Sequence, residues 1–189
     1  MKLFLCFCLF FTAAFNAKAV SDTLLWSRQR LQWINFKGRS DTATYNRNHL
    51  ATTLWKLTYF HRRNSQTRQV EVIAYTWFDG WRSWVRPSQR TNTALLLHEQ
   101  GHFDLAEILV RRFRKQVAQT NFGNIVYADS LQTIFSSLLA ETNEQQERYD
   151  AETDYGERSI PQRRWQDYIT TTLAALNAYA DKRVSSMTK

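Results

Sequence analysis

The sequence predicts a small α+β domain in which antiparallel strands come first and three helices follow. Two observations carry this. From Gln69 to Phe78, Val70, Val72, Ala74 and Thr76 alternate with bulkier residues, the two-residue period of a strand with one face buried. From about Thr91 onward apolar residues recur at helical spacing instead, with Leu105, Ala106, Leu109 and Phe113 on one side of a long helix. A block of strands followed by a block of helices argues for α+β rather than an alternating α/β fold.

Taken in order, the first nineteen residues read as a signal peptide. Lys2 supplies the positive start, Leu3 to Phe11 is an apolar run too short to cross a bilayer, and Ala17-Lys18-Ala19 has the small-x-small form of a cleavage site. Export to the periplasm or the medium follows as an expectation, with no membrane span in the remainder. Cys6 and Cys8 lie inside the apolar run rather than just behind it, against a lipid anchor, and both leave with the leader. Residues 20–189 then form a single domain without cysteine, held by its core and by whatever metal it binds rather than by disulfides.

Residues 24–38 look like a short strand entering a turn at Lys37-Gly38. Thr52–Phe60 and Gln69–Phe78 are two further strands. Asp79-Gly80 is a turn, and Trp84-Val85 a short strand stopped by Pro87. Trp33, Trp55, Trp77, Trp81 and Trp84 all fall here, and a sheet face packed on helices accounts for them better than a substrate platform. The helices are expected at Thr91–Gln119, Ser130–Thr153 and Gln162 to about Arg183, with Asn121-Phe122-Gly123 and Ile160-Pro161 as breaks.

The chain carries 25 Lys+Arg against 17 Asp+Glu. Removal of Lys2 and Lys18 leaves a net charge of +6, dispersed in short clusters such as Arg111-Arg112 and Arg163-Arg164. Nucleic acid is therefore not expected as a partner, because no basic stripe forms, and a solvated exported surface is the simpler account.

Chemistry concentrates in Leu97-His98-Glu99-Gln100-Gly101-His102, an H-E-x-x-H pattern inside a helix. Residues four apart share a helix face, so both imidazoles reach one zinc ion, and Glu99 is placed to take a proton from a zinc-activated water. Such a pattern arises by chance in roughly one chain in a hundred of this size or fewer, and its phase improves the odds. His98 and His102 point with the apolar face, whereas Asp104, Glu107, Arg111 and Lys115 fall on the opposite, expectedly solvated side. Asp104 is then a loop cap or a solvated acid, more readily than a partner for a histidine nitrogen. His49 and His61 lie in the strand region without ligand spacing and read as surface or structural.

A third ligand is expected from the second helix, whose apolar stripe turns polar through Thr142, Gln146, Tyr149 and Thr153. Asp150 and Glu152 flank that stripe at similar angles on opposite sides, and helical phase does not choose between them.

These segments resemble the bacterial domain-of-unknown-function 922 family, whose members are secreted and predicted to be zinc-dependent proteases. The resemblance rests on His98-Glu99-Gln100-Gly101-His102-Phe103-Asp104 and on Tyr149-Asp150-x-Glu152-Thr153-x-x-Gly156. Trp33-x-Asn35-Phe36-x-Gly38 and Gln162-x-x-Trp165 fit the same pattern. One position departs: Tyr155 stands where the family is expected to carry His. The aspartate-type zincins are also similar, pairing H-E-x-x-H with a downstream Asp and a Tyr-Gly. If the family's His at that departing position is the third zinc ligand, Tyr155 is a poor replacement for it; if it is an oxyanion donor, Tyr155 can take its place. The resemblance to the aspartate-type zincins implies a zincin-like domain with one zinc ion on His98, His102 and Asp150, and Glu152 as the runner-up ligand. Glu99 would be the general base and Tyr155 a hydrogen-bond donor to the oxyanion.

The expected function is that of an exported zinc peptidase acting on peptide or protein substrates. A zinc-dependent amidase acting on cell-wall peptides would use the same site. A non-catalytic binding protein on a zincin scaffold would have no need of Glu99. The oligomeric state has no signature in the sequence.

Overall fold

The computed structural model describes residues 23–27, 30–40, 49–122 and 126–187. The leader expected over residues 1–19 lies outside them. The fold is α+β, with antiparallel strands and three helices. Strand β4 (Val70–Asp79) is central, and its residues alternate between buried and half-buried along its whole length. β3 (Trp55–Arg63) pairs along its whole length on one side. On the other side β1 (Thr23–Leu25) pairs with the 77–79 end and β6 (Arg183–Ser185) with the 71–73 end. A separate two-stranded ribbon joins β2 (Ala51–Thr52) to β5 (Trp84–Val85). Among the described residues no helix is long and apolar enough to cross a membrane.

Helix α1 (Thr93–Gln119) starts where the Asn92 side chain accepts from Leu95 N, a cap that satisfies one of the free amides of the first turn. It lies against β4, burying Leu109, Val110, Phe113 and Val117 against Val70, Val72 and Ala74. α2 (Tyr127–Thr153) closes the other side of that core through Leu131 and Leu138. α3 (Ser159–Ala175) packs Trp165 and Ile169 on Leu105, Ile108 and Tyr149.

Several expectations are corrected. The first strand is only three residues long, and Trp33–Asn35 forms a 3-10 turn whose Trp33 and Phe36 fill a second core beneath Phe78, Leu95 and Phe103. The strand expected from Thr52 is divided between β2 and β3. Pro161 does not break the chain but sits in the first turn of α3, where a missing N–H leaves no hydrogen bond unmade. That helix stops at Ala175, and the segment expected to continue it forms a 3-10 turn (Asn177–Tyr179) that leads into β6. Of the tryptophans, Trp33 and Trp84 are buried, Trp81 is exposed and Trp55 borders a cleft.

The charged face of α1 is the largest correction. Asp104, Glu107 and Arg111 are buried, as is Arg114, and of the four residues expected to be solvated only Lys115 is exposed. Trp26, Leu31 and the segment after α3 cover this side, and the charges survive burial because each has partners. Trp26 Nε1 and Gln100 Nε2 donate to Asp104 Oδ1 at 2.7 and 2.8 Å. Arg111 and Arg114 both donate to Glu107 Oε1, and Arg114 also donates to the carbonyls of Ala74 and Tyr179. Burial nevertheless pushes both carboxyls above their usual range and the Arg114 guanidinium below its own. Asp104 is thus an anchor for the N-terminal segment.

Candidate metal centre

Helical spacing brings His98 and His102 together on the side of α1 that faces α2, with their Nε2 atoms 3.2 Å apart. Asp150 completes the group from α2. Its Oδ1 lies 3.1 Å from His98 Nε2 and 2.9 Å from His102 Nε2. These three residues form the cluster able to hold a metal ion among the described residues. The separations suit zinc: bonds of about 2.0 Å in tetrahedral geometry place ligand atoms about 3.3 Å apart. Glu152 is not part of the cluster. It faces α3, where it accepts from Trp165 Nε1 at 2.8 Å and pairs with Arg148 at 3.1 Å.

Two glutamines set the tautomers. Gln162 Nε2 donates to the Tyr149 hydroxyl at 2.6 Å, which turns its carbonyl oxygen toward His98 Nδ1 at 3.1 Å. Gln146 Nε2 donates to the His102 carbonyl at 3.0 Å, which turns its carbonyl oxygen toward His102 Nδ1. Each imidazole therefore carries its proton on Nδ1 and presents the Nε2 lone pair to the common centre. Two such lone pairs beside a carboxylate attract positive charge. Burial acts to lower the His102 pKa, but the Asp150 hydrogen bond and charge, with Glu99 and Gln146, outweigh it and raise it to about 9. Burial likewise works against the Asp150 carboxylate, yet the two histidines hold it well below the usual range. The centre is built for positive charge.

Close packing fixes His98 and Asp150. Tyr149 stacks on His98 with ring centroids 4.5 Å apart, and its hydroxyl donates to the His98 carbonyl. Burial pushes that hydroxyl's pKa well up, so it remains a neutral donor. Gly101 makes the stack possible, because a Cβ there would stand 2.7 Å from Tyr149 Cζ. At the end of α2, Asp154, Tyr155 and Gly156 take φ values of 50°, 53° and 89°. Only Gly156 is at ease there, and a Cβ on it would lie 2.8 Å from His98 Cβ. The amide of Tyr155 donates to the Asp150 carbonyl at 3.1 Å, tying the turn to the residue that completes the cluster.

The cluster opens on a cleft of about 920 Å³. One wall is residues 49–55, and the other is the end of α2 with the turn that follows it. Glu99 and Tyr155 both line it. Glu99 is only 3% exposed, and its Oε2 has no hydrogen-bond partner among the described residues. Exposed Tyr155 sets its ring 4.9 Å from that of His49. Sequence reasoning missed His49 as a cleft residue, and nothing in its local spacing signals that place. His61 is exposed on β3, beside Tyr59 and Tyr127.

A family model described as "Bacterial protein of unknown function (DUF922)" matches residues 29–156, about two thirds of the chain. The chain belongs to the DUF922 family. Searches of curated proteins and of solved structures find no match. The DUF922 match takes in both histidines, Glu99 and Asp150, and ends at Gly156. Gln162, which orients His98, comes from α3 beyond the matched span.

Proposed function

We propose that this DUF922 protein is an exported zinc-dependent peptidase with a zincin-like site. The observation that carries the reading is Glu99. A carboxylate oxygen buried without a partner beside two histidines and an aspartate is costly unless it meets a ligand or a water there. In this reading His98, His102 and Asp150 hold one zinc ion. Bound there, zinc supplies Lewis acidity, lowering the pKa of a water and polarising a carbonyl.

Glu99 accepts the proton of the attacking water and returns it to the leaving amine. Tyr155, at the mouth of the cleft, donates a hydrogen bond to the carbonyl oxygen as charge develops on it. Gln146 and Gln162 keep both imidazoles in the ligating tautomer throughout. A binding protein on the same scaffold would gain nothing from an unpartnered Glu99, so the geometry favours catalysis.

Hydrolysis of a mixed peptide library by the zinc-loaded protein, followed by mass spectrometry, tests the reading. Wild type is expected to cleave, and Glu99→Gln to lose at least about a hundredfold in rate while retaining its zinc. Equal inertness of the two zinc-loaded proteins would sink the enzyme reading.

A further inference from the structure

The cleft has a charge balance opposite to that of the protein. The chain has 25 Lys+Arg against 17 Asp+Glu, yet no Lys or Arg lines the cleft among the described residues. Five carboxylates do: Glu99, Glu147, Asp150, Asp154 and Glu157. Two of them belong to the centre, and the two charges of a zinc ion would offset Glu99 and Asp150. Glu147, Asp154 and Glu157 remain. Asp154 has Arg158 Nε at 3.8 Å, but both are more than half exposed, so solvent screens the pair to little. Glu147 and Glu157 have no ion-pair partner among the described residues.

All three excess acids come from one wall, the end of α2 and its left-handed turn. Residues 50–55 opposite carry no charged side chain. Acids on an exposed rim are ordinarily solvated and nothing more. Here the same cleft also receives the buried, unpartnered Glu99 Oε2, which marks it as a place where a ligand sits. The negative field therefore acts on whatever occupies the cleft, and it acts from one side.

We propose that the cleft selects peptides carrying Lys or Arg side chains close to the bond to be cleaved, with Glu147 and Glu157 as the specificity-determining residues. This rests on the peptidase reading of the site. Each exposed pair is individually weak, so two or three together give a preference on the order of tenfold. Complementary charge on one wall also fixes which way such a peptide lies.

Binding and cleavage are measured separately. Fluorescent peptides of equal length with central Lys/Arg, Ser/Gln or Asp/Glu residues are titrated into zinc-supplemented Glu99→Gln protein and followed by anisotropy. The basic set is expected to bind about tenfold tighter than the neutral set, with the acidic set weaker still. The difference should shrink as salt shortens the screening length. The Glu147→Gln/Glu157→Gln exchange in the same background should bring the three sets within about threefold, with circular dichroism unchanged. Equal binding of all sets, binding of none, or a preference that survives the double exchange overturns the proposal. Cleavage of the same peptides by wild type reads the peptidase assignment. Cleavage without charge preference sinks only the selectivity, whereas charge-selective binding without cleavage upholds it and sinks only the peptidase.

Discussion

An imidazole serves a metal only through a nitrogen that carries no proton, and Gln146 and Gln162 decide which nitrogen that is in His102 and His98. The sequence puts Gln146 in the polar end of the α2 stripe and Gln162 in a segment that fits the family pattern, but gives neither a role at the histidines. Glutamine is an ordinary surface residue of helices, and only the packing of α2 and α3 on α1 brings these two to the histidines. Replacing Gln162 by Leu keeps the volume near constant and removes the acceptor for His98 Nδ1–H. Zinc affinity, read by competition with a chromogenic chelator, should fall about 10–100-fold. An unchanged affinity would show that Tyr149 alone holds His98. Asp150 and Glu152 are likewise separated only by tertiary contacts, since both flank the α2 stripe and the packing of α1 and α3 sets Asp150 beside the histidines and Glu152 against Trp165.

At the scale of elements, the site is the meeting of α1 with the end of α2, and two glycines set how closely they meet. Gly101 leaves room for Tyr149, which is fully buried between His98 and Trp165 and cannot swing away. Gly101→Ala gains about 1 kcal/mol of helix propensity and faces an overpacking cost of about 1–3 kcal/mol. The contact at Tyr149 Cζ favours the upper part of that range, so the variant should be less stable in urea unfolding and bind zinc more weakly. A stabilised variant would contradict the packing argument. The alternation of β4 is readable from local pattern alone, because a period is a local property, whereas α1 begins at Thr93 behind the Asn92 cap, two residues after the expected Thr91. β6 is not readable in that way, since Arg183–Ser185 is too short to show a period and becomes a strand only by meeting β4. The end of α3 at Ala175 is hidden for the same reason.

On the scale of the whole molecule, α1 is a central axis rather than a surface helix. One side carries His98 and His102 to the cleft, and the other carries Asp104, Glu107, Arg111 and Arg114 into a buried, paired network. Charges at helical spacing read as a solvated face, and only the chain segments that close over them reveal otherwise. The fold class and the H-E-x-x-H core of the site were legible; the covering of α1 on both sides was not. The proposed function depends most on the three-residue centre, and zinc stoichiometry tests that centre directly. After dialysis against zinc and removal of excess, metal analysis of wild type, Asp150→Ala and Glu152→Ala should give one zinc per chain for wild type and Glu152→Ala. Asp150→Ala should retain far less. Full retention in Asp150→Ala, or loss in Glu152→Ala equal to it, would contradict the centre described here.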